Sequence, residues 1–400
     1  WDNEFLLQNY RGKSQNGQID HDYNWYDGIR KIDLPNGDST TNSPNNPCDF
    51  SSPTSCDDNG HGTYTMGLMT GNFENQFTGI APGTQWISAR VMKKGDGRLS
   101  TYLRGLEWCL APTDVNGNNP RPELAPDIIN NSWDCPRREG CIPENYWILD
   151  SAAVRLNQAG ILTVASAGNN GRQGCQSLTT PLALFSSIFT VGAIDRNDSI
   201  TDFSSRGPID SSSDIKPDVV APGKGITSIY PGGKFQTSSG TSSSAPITAG
   251  VAALILEANP ALKGQPDLLR NILSKSALPI NENSCGESTS PNPVYGYGRI
   301  DAMKAIQLAK EFHPTSSRPA LPENSFSLYP NPFRNEVHLK SHVTSSARIN
   351  IYDIRGQLTT SFTLAGHEEI ELVLSDLQIG LHFAQIITSK GILLRKLIKI

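Results

Sequence analysis

No apolar run in these 400 residues approaches the roughly 20 that a membrane-spanning helix needs. Basic charge is not in surplus either: the formal net charge is −5 with 18% charged residues, which removes the electrostatic case for a nucleic-acid partner. The cysteines never pair as C-x-x-C, so zinc sites of that pattern are excluded. No signal peptide is visible, and Trp1 stands where a Met would open a chain, which leads us to expect processing or truncation. What remains is a length suited to two domains, or to one large domain with an appendage.

The seven cysteines are Cys48, Cys56, Cys109, Cys135, Cys141, Cys175 and Cys285. "NPCDFSSPTSCDD" sets Cys48 and Cys56 in a Pro/Ser/Asp-rich loop, where a disulfide is the natural reading. Cys135, Cys141 and Cys175 flank loops that have room for a second bridge. Cys109 sits at helical spacing in "YLRGLEWCLAP" and reads as a buried free thiol. An oxidising compartment is expected.

From Trp86 to Val220, apolar strands ("WISARVM", "DIINNS", "ILTVAS", "IFTVGAI") alternate with helical stretches such as "STYLRGLEWCLA" and "PENYWILDSAAVRLNQAG". Such alternation predicts an α/β fold, a parallel sheet doubly wound by helices. "EFHPTSSRPALPENS" then reads as a linker over 311–325. Beyond it the period falls to two. Val337 and Leu339, Ile349 and Ile351, and Ile370, Leu372 and Leu374 alternate with polar residues, so 326–400 is expected to be a small all-β sandwich. Its four histidines follow no ligand spacing.

Three segments carry the chemistry. "DDNGHGTYTMGLMTG" holds His61 between two glycines at the start of a helical pattern. "ILTVASAGNNG" ends a strand in Asn169, where open α/β sheets place ligands. "TSSGTSSSAP" runs directly into the apolar helical spacing of Ala249, Val251, Ala252, Leu254 and Ile255. A serine at that junction meets the unpaired N–H groups of a helix start. A base, an amide donor and a helix-borne hydroxyl are what acyl transfer requires. His21, in the acidic and aromatic "QIDHDYNWYD", reads as structural.

"GHGT", "SAGN", "APG" and "GTSSSAP" follow one another as in the subtilisin-like serine peptidases, and "NYRG", "DHDYNWYD" and "NNSW" resemble the bacillopeptidase-F-type branch. The resemblance covers residues 1–310. It implies that Ser242 attacks the scissile carbonyl, His61 accepts its proton, and the Asn169 amide with the Ser242 N–H holds the oxyanion. It also implies that Ser132, Trp133 and Asp134 pair with an extended substrate, beside a pocket edged by Ala167 and Gly168. Protein or peptide substrates follow, and no cofactor is needed for the chemistry.

The family's Asp-Thr/Ser-Gly step is missing. Asp2, Asp20 and Asp22 match nothing in it, so the resemblance implies that the sheet's first strand, with the catalytic Asp, lies ahead of Trp1. Tyr64 stands where the family has a second His, Ser243 where a Met commonly follows the nucleophile, and Asp134 where a Gly is usual. Without that Asp, the chain is expected to be nearly inert when expressed alone. "CDDN" at 56–59 offers oxygen ligands for a structural calcium, without a spacing that defines a site, and no metal ligands are assigned.

"FSLYPNPFRNEVHLKS", "IYDIRGQ" and "KLIKI" resemble the type IX secretion system sorting domain. That implies export by the type IX machinery, through the periplasm of a bacterium, to the cell surface or beyond. Two readings compete with a secreted peptidase: an inactive binding protein on the same fold, and a surface adhesin.

Overall fold

The computed structural model describes residues 6, 8–33, 48–73, 77–208, 214–286, 289–311, 321–353 and 357–400. Asp2 and most of the linker, at 312–320, lie outside the described residues. The chain divides into two compact units, Trp1–Phe312 and His313–Ile400. Among the described residues no helix is long and apolar enough to cross a membrane.

In the first unit, β1 (Trp25–Asp27) pairs in parallel with β2 (Ser88–Arg90). Separately, β3 (Ile128–Asn131), β4 (Leu162–Ser166), β5 (Phe189–Ile194) and β6 (Val219–Pro222) form a parallel sheet in that order. Helices α1 (His61–Thr70), α2 (Leu99–Leu110), α3 (Tyr146–Gln158) and α4 (Thr241–Ala258) cover these strands. β4 and β5 are buried at every residue, because helices lie on both faces. This is the α/β arrangement that the alternation predicts, and an antiparallel hairpin of β7 (Ile226–Tyr230) and β8 (Lys234–Ser238) follows β6.

α4 lies across the sheet and is apolar nearly all round: Ala245, Ala249, Val251, Ala252 and Ile255 are each at most 3% exposed. The helix starts at Thr241, so it takes in Ser242, Ser243 and Ser244 and begins earlier than the apolar spacing marks. Gly240 at the N-cap, and Asn169 Oδ1 accepting from Thr241 N, hold the early start.

Three disulfides join Cys48 to Cys56, Cys135 to Cys141 and Cys175 to Cys285. Cys109 is free, as expected; it lines an internal cavity, and burial pushes its thiol pKa up to about 12.

In the second unit, β9 (Phe326–Tyr329), β10 (Glu336–Ser341) and β13 (Glu369–Val373) form one antiparallel sheet. β11 (Ala347–Tyr352), β12 (Leu358–Leu364), β14 (Gly380–Thr388) and β15 (Ile392–Lys399) form the other. Val337, Leu339, Ile349, Ile351, Leu372 and Leu374 are buried between them, as period-two alternation requires.

Candidate active site

His61 is the first residue of α1, and three features place it there. Gly60 takes a left-handed conformation (φ 88°), and a Cβ on it would lie 2.2 Å from the Tyr230 ring. Asp57 then collects the free N–H groups of the helix start: Gly60 N donates to Oδ1 at 2.7 Å, and Thr63 N to Oδ2 at 2.8 Å. The Thr63 hydroxyl adds a bond to Oδ2 at 2.6 Å. Burial would push the Asp57 pKa up, but these bonds, the Thr63 hydroxyl foremost, hold it below the ordinary value. The His61 pKa is lowered, by burial first, and the charge of Asp57 only partly opposes this. The imidazole is therefore neutral at neutral pH and free to accept a proton.

Ser242 lies in the first turn of α4. Its hydroxyl donates to the Ser132 carbonyl at 3.3 Å, and the Ser132 hydroxyl donates to the Ser242 carbonyl at 3.1 Å. The second bond follows from Pro246. Four residues on, where the helix would supply an N–H to that carbonyl, proline has none, so Ser132 takes the place. Beneath Ser242, the Tyr64 hydroxyl lies 3.0 Å from that of Ser243 and donates to the Ile226 carbonyl at 2.9 Å. One turn from His61 is thus tied to the neighbour of Ser242.

Asn169 follows β4 through Gly168, whose φ of 96° and whose closeness to Thr180 (a Cβ would lie 2.5 Å from Oγ1) leave no room for a side chain. Asn169 Oδ1 accepts from Thr241 N at 3.0 Å and from Thr241 Oγ1 at 3.1 Å. The amide nitrogen therefore turns away from Thr241. A Cβ built on Gly240 would lie 3.6 Å from Asn169 Nδ2 and 3.7 Å from Ser242 N. The Asn169 amide and the Ser242 N–H therefore border one small space beside Gly240, and such a pair of donors can receive a developing oxyanion.

Trp133 stacks on Tyr102 (centroids 4.0 Å apart, planes at 11°), and exposed Asp134 accepts from Cys135 N at 2.8 Å. Burial of its carboxylate by neighbouring groups raises the Asp134 pKa. Ala167 corrects an expectation. It is fully buried against Leu178 and Ala183, with its N–H bonded to the Val191 carbonyl, so it presents no surface to a substrate. The strand simply runs one residue further under cover than the motif suggests, and the exposed edge begins at Gly168 and Asn169.

Among the described residues no carboxylate hydrogen-bonds the His61 ring, and the ring makes no other hydrogen bond. Asp20 accepts from Asp22 N in a turn, and Asp22 accepts from Val115 N and ties two loops together, so both carboxylates are occupied. The "CDDN" carboxylates are occupied as well: Asp57 by α1, Asp58 by Arg90 at 2.6 Å and by Lys94 N. His21 accepts or donates through Nδ1 to the Tyr10 hydroxyl at 2.8 Å. In the second unit, strand pairing sets His338 opposite Glu371, and ligand-type atoms of Glu336, His338 and Glu371 lie within 4.8 Å of one another. The spacing of the histidines missed this group because Glu371 comes from another strand.

The sequence reading also missed Thr241, Asp57 and Pro246 as supports. The first stands inside the Gly-Thr-Ser step and the last inside "SSSAP", so the signal for both was present.

Residues 12–298 match the family model described as Subtilase family, and residues 327–400 match the Secretion system C-terminal sorting domain. That tail marks chains exported by the type IX system to the cell surface or the extracellular space. Bacillopeptidase F of Bacillus subtilis (strain 168) is 33% identical over 315 residues, 76% of this chain and 20% of that protein. Serine protease AprX of the same organism is 33% identical over 277 residues, 62% of this chain and 58% of that protein. The chain thus spans less than two thirds of either relative. Among solved structures, the protease domain of PatA superposes with a TM-score of 0.49 at 28% identity, over 65% of this chain and 85% of that one. With a family match over most of the chain, and a hydroxyl, an imidazole and an amide each at the head or end of its own element, this chain belongs to the subtilase family.

Proposed function

We propose that the protein is a secreted serine endopeptidase that hydrolyses peptide bonds through an acyl-enzyme. Ser242 attacks the carbonyl and His61 takes its proton, then returns it to the leaving amine. Asn169 Nδ2 and the Ser242 N–H hold the oxyanion. In the reacting complex the Ser242 hydroxyl exchanges the Ser132 carbonyl for the imidazole as its acceptor, a tightening that substrate binding brings about. Ser132, Trp133 and Asp134, with Gly168, form the edge along which the substrate lies. The peptidase unit is residues 1–310, the linker 311–325, and 326–400 is the domain read by the type IX machinery.

The carboxylate that orients His61 belongs, on this reading, to a segment ahead of Trp1, and residues 1–400 alone are nearly inert. Loss of that carboxylate costs about 10⁴ in turnover. The observation that supports the reading best is that Asn169, anchored through Oδ1 to Thr241 N, and the Ser242 N–H border the same space beside Gly240.

A fluorophosphonate probe with peptide turnover tests this in the polypeptide encoded with its upstream region and in residues 1–400. Labelling at Ser242 and turnover by the longer form are expected, both lost in Ser242→Ala. Absence of labelling there would favour an inactive binding or adhesion protein, a reading supported by the unpartnered His61 ring. Equal turnover by both forms would remove the acid assignment.

A further inference from the structure

Two segments lead away from Ser242. One, residues 132–134, runs on from β3 and is joined to Ser242 by the two Ser132 bonds. The other, Gly168 with Asn169, runs on from β4, and Gly168 N donates to the Thr241 hydroxyl at 3.2 Å. The two come together again at Thr180. Its hydroxyl lies 2.5 Å from where a Cβ on Gly168 would stand, and close enough to the Asp134 carboxylate to stabilise the charge there. Asp134 is two residues past Ser132, so their Cα atoms are at most about 7 Å apart. The slot between the segments thus begins at Ser242 and ends on a hydroxyl and a carboxylate.

Neither end group is satisfied. Thr180 is 2% exposed, and among the described residues its hydroxyl makes no hydrogen bond of good geometry. Buried hydroxyls in that state are rare, and each calls for a partner. Asp134 Oδ1 accepts from Cys135 N, but the carboxylate forms no ion pair among the described residues. Arg138, whose charge reaches it, is held by Asp96 and Glu139 at 3.3 Å each. Burial raises the Asp134 pKa, and the Cys135 N–H, the Thr180 hydroxyl and Arg138 oppose this only in part. A carboxylate so placed is stabilised by a cation brought to it.

The carboxylate is also held in place. Trp133 before it stacks on Tyr102, whose hydroxyl donates to the Asp134 carbonyl at 3.1 Å, and buried Cys135 after it is bridged to Cys141. A group fixed in advance loses little freedom on binding. An acidic side chain entering the slot meets repulsion, and an apolar one strips water from the carboxylate while leaving the hydroxyl unpaired. An ammonium or guanidinium supplies donors to both, on an apolar stem that passes Gly168, where no side chain stands in the way.

We propose that this slot selects a lysine or arginine side chain, that of the peptide residue whose carbonyl lies at Ser242, with Asp134 as its charge partner and Thr180 as a second acceptor. That the peptide is a substrate cut after this residue rests on the peptidase reading; the preference for a cation does not.

The probes are acetyl-Ala-Ala-Ala-Lys and its Arg, Leu and Glu counterparts, each ending in a free carboxylate. They are titrated into residues 1–400 by calorimetry, and hydrogen exchange at 132–135 and 168–170 locates the binding. The Lys and Arg peptides are expected to bind about tenfold or more tightly than the Leu peptide, with the Glu peptide weakest and the differences shrinking as salt is added. Asp134→Asn keeps an acceptor for Cys135 N and is expected to bring the Lys, Arg and Leu peptides within about threefold of one another. Thr180→Val, a second variant, is expected to weaken the Lys peptide by about threefold to tenfold and the Leu peptide not at all. No binding of any peptide, equal binding of the Lys and Leu peptides, or a lysine preference that survives in Asp134→Asn would overturn the proposal. Fluorophosphonate labelling of Ser242 in the longer form separates the two ideas. A lysine preference without labelling keeps the cation site and removes the peptidase reading, and labelling without the preference does the reverse.

Discussion

The hydroxyl of Tyr64 lies 3.0 Å from that of Ser243, so two departures from the family pattern form a single contact. Both side chains are buried, at 4% and 1% exposure, and the contact fastens α1 to α4 directly behind the candidate base and nucleophile. A phenol reaches across the two helices, and a hydroxyl in place of a thioether receives it.

Tyr64→Phe removes that bond and the one to the Ile226 carbonyl. It is expected to cost about 1–2 kcal/mol in urea unfolding. Ser243→Ala is expected to cost a similar amount, and the double variant about 1 kcal/mol less than the two together. Additive losses would show that the pair is not coupled.

Asn169→Ala in the catalytically complete polypeptide is expected to lower kcat by about 10²–10³ with KM little changed, because the lost donor acts on the transition state. Thr241→Val, which frees Asn169 Oδ1 from its two anchors, is expected to lower kcat by about tenfold. Equal rates for wild type and Asn169→Ala would exclude the amide from the reaction.

His61 in residues 1–400 should titrate below the ordinary imidazole value of 6.5, since burial outweighs the field of Asp57. The folded state then binds fewer protons than the unfolded one. His61 is solvent-exposed, so screening keeps the resulting stability small; what there is stands above 6.5 and is lost as pH falls through the lowered folded value. Proton NMR of the imidazole reads the midpoint directly. A carboxylate brought beside the ring is expected to move it upward, and a midpoint above 6.5 without one would contradict the burial argument.

The three disulfides should differ in weight. Cys175–Cys285 closes a span of 110 residues, against 8 for Cys48–Cys56 and 6 for Cys135–Cys141. Loop entropy assigns about 5 kcal/mol to the first and about 2 kcal/mol to each of the others. Paired Cys→Ser variants, compared by denaturant midpoint, are expected to follow that order.

Arg90 pairs with two buried carboxylates, Asp27 at 3.1 Å and Asp58 at 2.6 Å, with all three side chains at most 5% exposed. Arg90→Met leaves both without their partner and is expected to destabilise the first unit by about 3–5 kcal/mol. Adding Asp27→Asn and Asp58→Asn should recover part of that loss; no recovery would place the effect in packing instead.

The elements were legible because each rests on local pattern. Ile128–Asn131, Leu162–Ser166 and Phe189–Ile194 are short apolar runs between helical periods, and Val337, Leu339, Ile349 and Ile351 alternate as a half-buried strand must. Ala167 was misread because burial at a strand's end depends on what packs over it, here Leu178 and Ala183 from further along the chain. The Glu336, His338 and Glu371 group was invisible for a related reason: β10 and β13 meet only through their register.

By itself the sequence determined the kinds of group on offer: an imidazole between glycines, an amide ending a strand, and a hydroxyl leading into an apolar helix. Backbone freedom, periodicity and side-chain chemistry are properties of neighbours in the chain, so a short stretch suffices to carry them. Only the tertiary structure decided which carboxylates were already occupied, that Pro246 hands the Ser242 carbonyl to Ser132, and that Tyr64 meets Ser243. Those relations join residues up to 179 positions apart, and hydrogen bonding and burial at such range depend on how whole helices and strands pack.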